Sequence, residues 1–440
     1  MAPMMQLPIL MRALGRRSAL SLLLHDSQRH ALVRCQSTAA PALQQSVALT
    51  RLAHQSKLQL QLSDRARTNI EIIPVLSSAE FACNVLGHGD STGDILSVVQ
   101  EQKDGESAVT AVRITKNADT ALMSEDDAAT TLQLYLPHLI DLQLSLVKGD
   151  VRILDKIEGD VKITVGDGDI RVSKLRGEEI HMKTNKGSVH IASLLEGEKV
   201  TIAANAVDCK RLMSGTTEIK LGKGSGDPQA SEFGAIYSSA CVINSLAKGG
   251  IQVGNVHGYL RVVGDELPHI HVHSVNGAID LEDSGAQNCD VVAHFDSWTE
   301  DASSSILVGG NVVVSVEPTA PIEVELHGRE ISTDGCAFSE SELDQLDVDY
   351  AIFSGVLEPK SDGKAASVGA ASSGKINVGS AKNAAMRTSF FMNGDDITGS
   401  DSDSTTTAAS PRLLVHATSG TVKLEQLDWM AKLKRKHLKQ

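Results

Sequence analysis

From Gly149 onward, apolar and polar positions alternate in a short unit that keeps returning. Gly149-Asp150-Val151-Arg152-Ile153, Gly159-Asp160-Val161-Lys162-Ile163, Gly168-Asp169-Ile170-Arg171-Val172 and Gly187-Ser188-Val189-His190-Ile191 share one layout: a glycine, a small or charged residue, then two β-formers flanking a polar one. Looser copies at Gly177 to Met182 and Gly197 to Ile202 keep the phase, so the glycines are spaced 10, 9, 9, 10 and 10. Two apolar residues two apart on a strand face one side, and Arg152, Lys162, Arg171 and His190 face the other. Glycine permits the tight bend between units, and the aspartate is expected to satisfy backbone groups of its own turn. A single unit cannot bury its apolar face alone, whereas stacked units can, so a fixed period of short strands predicts an all-β solenoid.

The unit resumes at Gly250-Ile251-Gln252-Val253, Gly258-Tyr259-Leu260-Arg261-Val262 and Gly277-Ala278-Ile279-Asp280-Leu281, and it weakens through Gly310-Asn311-Val312-Val313-Val314. Late copies stand at Gly374-Lys375-Ile376-Asn377-Val378 and Gly420-Thr421-Val422-Lys423-Leu424. Ahead of the repeat, strand-like runs at Ile70 to Val75, Ile95 to Gln100 and Val109 to Thr115 form a lead-in. Leu132, Leu134 and Leu136, then Leu142, Leu144 and Leu146, alternate with polar residues around Pro137. The expected organisation is a presequence over 1–36, a linker over 37–69, a β-solenoid domain over 70–428 and a basic tail over 429–440. Low-complexity insertions fall near 360–373 and 394–410. A meandering β-sandwich is the architectural alternative, because short strands with regular turns suit it too.

The run Tyr135-Leu136-Pro137, followed by Leu142-Gln143-Leu144 and the Gly-Asp-Val/Ile units, resembles the bacterial putative-adhesin family of Gly-Asp-Ile/Val repeat β-solenoids. Together with an arginine-rich leader and the ending Gly420 to Trp429, it is similar to the eukaryotic, mitochondrially predicted branch of that family. The resemblance covers about residues 70 to 430 and implies a right-handed β-helical fold. It transfers no catalytic residue, since that family has no agreed catalytic signature.

Composition changes the picture at the N-terminus. Arg12, Arg16, Arg17, Arg29, Arg34 and Arg51 are accompanied before Asp64 by one acid, Asp26, and Leu10, Leu14, Leu20 and Leu24 would line one face of a helix. Those are the features of a disordered mitochondrial presequence that addresses the chain to the matrix, with cleavage expected near Ser37. Loss of five arginines and one aspartate moves the formal charge from -14 to -18, which disfavours nucleic acid as a partner of the body. No apolar run is long enough for a transmembrane segment. Beyond Cys35, the cysteines Cys83, Cys209, Cys241, Cys289 and Cys336 are odd in number and widely spaced, a pattern of reduced thiols rather than a disulfide framework. The bases Lys432, Lys434, Arg435, Lys436 and Lys439 follow Trp429 and Met430, as a short basic helix capping the open end or as a solvated tail.

Candidate chemistry is sparse. His269, His271 and His273 share one face of a strand at spacings of roughly 7 Å, a possible metal site if His257 or Asp280 supplied a further ligand. Ile270 and Val272 hold the inward phase, which places the imidazoles on the outer wall. Asp167 with Asp169, or Glu282 with Asp283, are the carboxylate pairs an enzyme acting on a carbohydrate polymer would need. Gly166-Asp167-Gly168-Asp169 occurs once and reads as a turn rather than a calcium site, and Gly222 to Gly226 lacks the phosphate-loop spacing and reads as a loop. No cofactor is implied. The expected function is a non-enzymatic binding or scaffold protein with a protein partner, with a carbohydrate-polymer enzyme and a metal-binding histidine strand as alternatives.

Overall fold

The computed structural model describes residues 42–49, 52–62, 67–75, 81–87, 96–102, 109–116, 130–222, 229–285, 288–298, 302–317, 320–359 and 410–427. The presequence over 1–36, the insertion near 360–373, nearly all of that near 394–410, the repeat copy at Gly374 and the tail over 429–440 lie outside them. Apart from Ala42, everything described belongs to one compact unit, Leu43–Gln440. It is all-β, a solenoid of parallel strands, and no helix among the described residues is long and apolar enough to cross a membrane.

Strand register fixes the coil. Val151 pairs with Ile170 and Ile170 with Val189, while Leu142 pairs with Val161 and Val161 with Ile180, all in parallel. The step is therefore two ten-residue units, one on each of two walls. Parallel pairing of units joined by short turns excludes the meandering sandwich, whose hairpins would pair antiparallel. Inward columns such as Val151, Ile170, Val189, Val207 on the first wall and Leu142, Val161, Ile180, Val200 on the second are essentially inaccessible to solvent. A third column, Ile157, Leu175, Leu195, Leu212, Ile236, Val256, Val275 and Phe295, closes one corner and is 0% exposed throughout. Each buried aliphatic side chain contributes about 1.5–3 kcal/mol, so the three columns carry the fold.

The Gly-Asp unit locks one coil onto the next. Gly168 has φ +150°, and a Cβ there would lie 2.0 Å from the carbonyl oxygen of Gly149 in the coil before. Asn69 Oδ1 accepts the Asp150 N–H at 3.1 Å, Asp150 Oδ1 the Asp169 N–H at 3.0 Å, and Asp169 Oδ1 the Ser188 N–H at 3.0 Å. On the opposite bend Asp141 serves Asp160, and Asp160 serves Glu178 and Glu179. The aspartate thus satisfies not its own turn, as the sequence suggests, but the next coil.

Chain order and coil order part company at both ends. Leu52–Leu62 lies between Val109–Lys116 and Ile140–Lys148, and Thr68–Val75 between Thr130–Pro137 and Val151–Glu158. The expected linker over 37–69 is therefore corrected: it holds the strands Ala42–Leu49 and Leu52–Leu62. Leu58, Leu60 and Leu62 alternate with glutamines and are buried, ordinary strand chemistry without the glycine that marks the repeat. At the other end Arg412–Ala417 slots between Ser303–Val308 and the earlier strand Ile322–Gly328, and Thr421–Gln426 between Val312–Val316 and Glu330–Ser332. The second wall finishes in an antiparallel hairpin, Tyr350–Leu357 with Phe338–Asp347. The coil from Cys209 to Phe233 is longer than its neighbours, and its surplus falls after Gly222, where residues 223–228 lie outside the described set.

Two substitutions, each with a control, test the lock. Gly168→Ala is expected to lower the unfolding free energy by about 3 kcal/mol, measured by urea denaturation. Gly335→Ala, which also has positive φ (79°) but open space around its Cβ, should cost about 1 kcal/mol. Asp160→Ala should cost about 1–2 kcal/mol, whereas Asp160→Asn, which keeps the accepting oxygen, should stay close to the parent.

Candidate functional site

Where each coil turns from the first wall to the second, small residues stand in a column. Gly177, Gly197, Ser214, Ser238, Gly258 and Gly277 are successive strand partners. Missing side chains leave a groove of about 760 Å³ over Gly159, Gly177, Gly197 and Gly215. Its rim is acidic: Asp141, Asp160, Glu178, Glu196 and Glu198 against the single base Arg176. Asp141 and Asp160 are committed to backbone N–H groups, and Arg176 donates to Glu196 Oε1 from Nε at 3.0 Å and Nη2 at 2.8 Å. Asp141, Asp160 and Glu196 are thus held by backbone N–H groups and by Arg176.

Beside the small-residue column runs a second ladder, Arg176, Glu196, Met213, Tyr237, His257 and Asn276. Tyr237 and His257 stack with centroids 4.5 Å apart and planes within 3°. Met213 is 37% and Tyr237 39% exposed, so three consecutive coils present a thioether and two flat rings to solvent along the line of the acidic groove. An apolar platform continuous with an anionic channel suits an extended ligand that is cationic in one part and apolar in another.

The residues singled out by sequence are dispersed. His269 and His271 are half-buried and His273 exposed on the outer wall, with Ile270 and Val272 buried behind them. The His269 and His271 rings lie 4.8 Å apart, and the His269 imidazole occupies the space a Cβ on Gly250 would need. His257 is stacked on Tyr237, and Asp280 accepts from Tyr259 and faces Arg261 at 3.5 Å, so neither joins the histidine strand. Among the described residues no group of three or more His, Cys, Asp or Glu is arranged to hold a metal ion. Asp167 pairs with Lys186 at 3.8 Å and Asp169 with Arg171 at 2.6 Å. Glu282 points outward to Arg261, while its neighbour Asp283 points inward, as alternation along a strand requires.

Sequence reasoning missed a cluster on the outer second wall. His327 lies 2.7 Å from Glu325 Oε1 through Nε2 and 2.9 Å from the Tyr350 hydroxyl through Nδ1. A carboxylate only accepts, so in the neutral ring Nε2–H donates to Glu325 and Nδ1 accepts the Tyr350 O–H. The His416 ring lies 5.3 Å from that of His327, and burial together with His327 holds its pKa below the ordinary value. This cluster clamps the terminal hairpin to the wall. Its members are brought together by strand insertion, and no spacing in the sequence announces them. The thiols of Cys83, Cys209, Cys241 and Cys289 are buried and pushed up to about 12, which leaves them inert at neutral pH.

A family model described as Toastrack DUF4097 matches residues 54–297. Among solved structures the chain is similar to a putative cell adhesion protein from Clostridium sporogenes, at 8% identity over 87% of this chain and 99% of that one, with a TM-score of 0.19. It is also similar to a putative adhesin from Bacteroides fragilis, at 12% identity over 60% of this chain and 97% of that one, with a TM-score of 0.23. No curated protein matches the sequence.

Asp283 offers a test of the interior. Burial raises its pKa, N–H groups of Leu267 and Gly285 pull it back, and Asp265 and Glu266 raise it further; Oδ2 has no hydrogen-bond partner among the described residues. A carboxyl whose folded pKa is raised loses stability as pH rises through that value. Asp283→Asn should therefore be more stable than the parent at pH 7–8 in urea denaturation, and the gap should close as pH falls toward 3.8.

Proposed function

The chain belongs to the Toastrack DUF4097 family, whose model spans residues 54–297, and from that premise we propose a non-enzymatic binding or scaffold protein that holds an extended, basic segment of a partner protein along its corner groove. The stacked Tyr237–His257 pair beside exposed Met213 carries the reading. Flat aromatic side chains left in solvent, on coils whose neighbours put charges or small residues in the same row, are the kind of anchor that dominates protein interfaces. The acidic rim selects a cationic partner and speeds its encounter. Repeat architecture supplies length, because the groove and platform run across successive coils without any loop having to fold over the ligand.

The compartment belongs to the same proposal. Five arginines and one acid over 1–36, with leucines at helical spacing, support import into the mitochondrial matrix and membership of the eukaryotic branch of the family. The buried, unbridged thiols of Cys83, Cys209, Cys241 and Cys289 suit a reducing interior.

Affinity purification of the tagged full chain from mitochondria should recover a reproducible protein partner. Tyr237→Ala combined with Met213→Ala, and separately Glu178→Lys with Glu198→Lys, should each cut recovery at least about tenfold while leaving the melting curve in place. Equal recovery by all three proteins would remove the groove as the site. A fluorescent fusion of residues 1–60 should enter mitochondria, and a cytosolic signal would refute the address.

A further inference from the structure

The C-terminal end of the second wall carries a surface that the fold leaves uncovered among the described residues. Among the described residues Phe338–Asp347 is the last strand of that wall and pairs only with Tyr350–Leu357. Leu343 is 60% and Leu346 64% exposed on this edge strand, and Val348 in the turn that follows is 87% exposed. Between this hairpin and the outer wall lies a groove of about 780 Å³ lined by Glu323, Glu325, Glu340 and Glu342, with Arg412 as its one base. Arg412 is paired with Glu323 at 2.7 Å, and Glu325 holds His327, whereas Glu340 and Glu342 carry no ion pair among the described residues.

The described chain ends at the base of that hairpin. Gln426 donates from Nε2 to the Glu358 carbonyl at 2.8 Å and accepts the Ala337 N–H at 3.2 Å, and Ala337 and Glu358 are the two residues that close the base of the hairpin. Beyond Leu427 come Trp429, Met430 and Leu433 with five bases, Lys432, Lys434, Arg435, Lys436 and Lys439. In extended form those residues reach roughly 40 Å, further than the hairpin is long. A second copy docking edge to edge would set Glu340, Glu342, Asp344 and Asp347 against themselves, so charge disfavours it.

We infer that the basic C-terminal segment of this chain, residues 429–440, docks along the acidic groove and free edge of the terminal hairpin. Its bases meet Glu340, Glu342 and Asp344, and its apolar residues cover Leu343 and Leu346. The docked segment covers the free edge of Phe338–Asp347, which would otherwise invite association. The inference stands independently of the corner groove.

Amide hydrogen exchange over 339–347 in the full chain tests it. Deletion of residues 429–440 should speed exchange there about tenfold at low salt without altering the coils before Gly310. Reversal of Lys432, Lys434, Arg435 and Lys436 to glutamate should do the same. Adding Glu340→Lys, Glu342→Lys and Asp344→Lys to that reversed tail should restore slow exchange, a rescue that holds the proposal open should the deletion alone disturb folding. Equal exchange in parent, deletion and reversal would overturn it. Protection that grows with protein concentration would also overturn it, because the covering segment would then come from another molecule.

Discussion

The close contact of one glycine bend on the next governs this molecule. Gly149 and Gly168 meet with no room for a Cβ, and the aspartate following each reaches across to the N–H of the coil above. Neither half works alone. A larger residue would hold the coils apart and stretch the bond, and without the bond the buried N–H at each bend would be orphaned. The coil height set at the bend is the spacing of a β-ladder, so both walls pair in register and every inward side chain stacks on its counterpart. The aspartate is replaced by asparagine at Asn69 and Asn311, whose Oδ1 atoms accept the N–H of Asp150 and of Thr421 in the adjoining coil, so an acceptor oxygen serves there without a charge.

Much of this was legible because repetition is a local signal. The phase of Val151 and Ile153 predicts the inward columns, and the same phase placed His269, His271 and His273 outside, where they are. The count of units per coil was hidden, because pairing joins every second unit and nothing in a ten-residue period distinguishes neighbours from next neighbours. The strand Leu52–Leu62 was hidden for another reason: it has the alternation but not the glycine, and its partners lie fifty and eighty residues away in sequence. The Glu325, His327, Tyr350 and His416 cluster was invisible, since His416 reaches His327 only through the insertion of Arg412–Ala417 beside Ile322–Gly328.

The constraint also says where function can reside. Inward positions are fixed by packing and bend positions by the glycine contact, so outward rows are the part of the repeat free to vary. Along the corner row the residue type changes from Arg176 and Glu196, which neutralise each other, to Met213, Tyr237 and His257, of which the two rings stack on each other across neighbouring coils. Exposed rings in such a row cost solubility and add no core burial.

A solenoid held by nearest-neighbour contacts is weakest where a coil has a neighbour on one side only. Here the two ends are made from strands that leave chain order: Leu52–Leu62 and Thr68–Val75 at one, Arg412–Ala417 and Thr421–Gln426 at the other. Intercalation ties the terminal coil to a segment distant in sequence, so the end cannot fray by simple peeling from the terminus. Loss of Thr421–Gln426 would strip partners from both Val312–Val316 and Glu330–Ser332 at once. The cost is entropic, because closing such long loops precedes any contact that rewards it. The middle coils, whose pairing is local at 19 residues, are therefore the natural nucleus, and the intercalated ends close onto a stack that already exists.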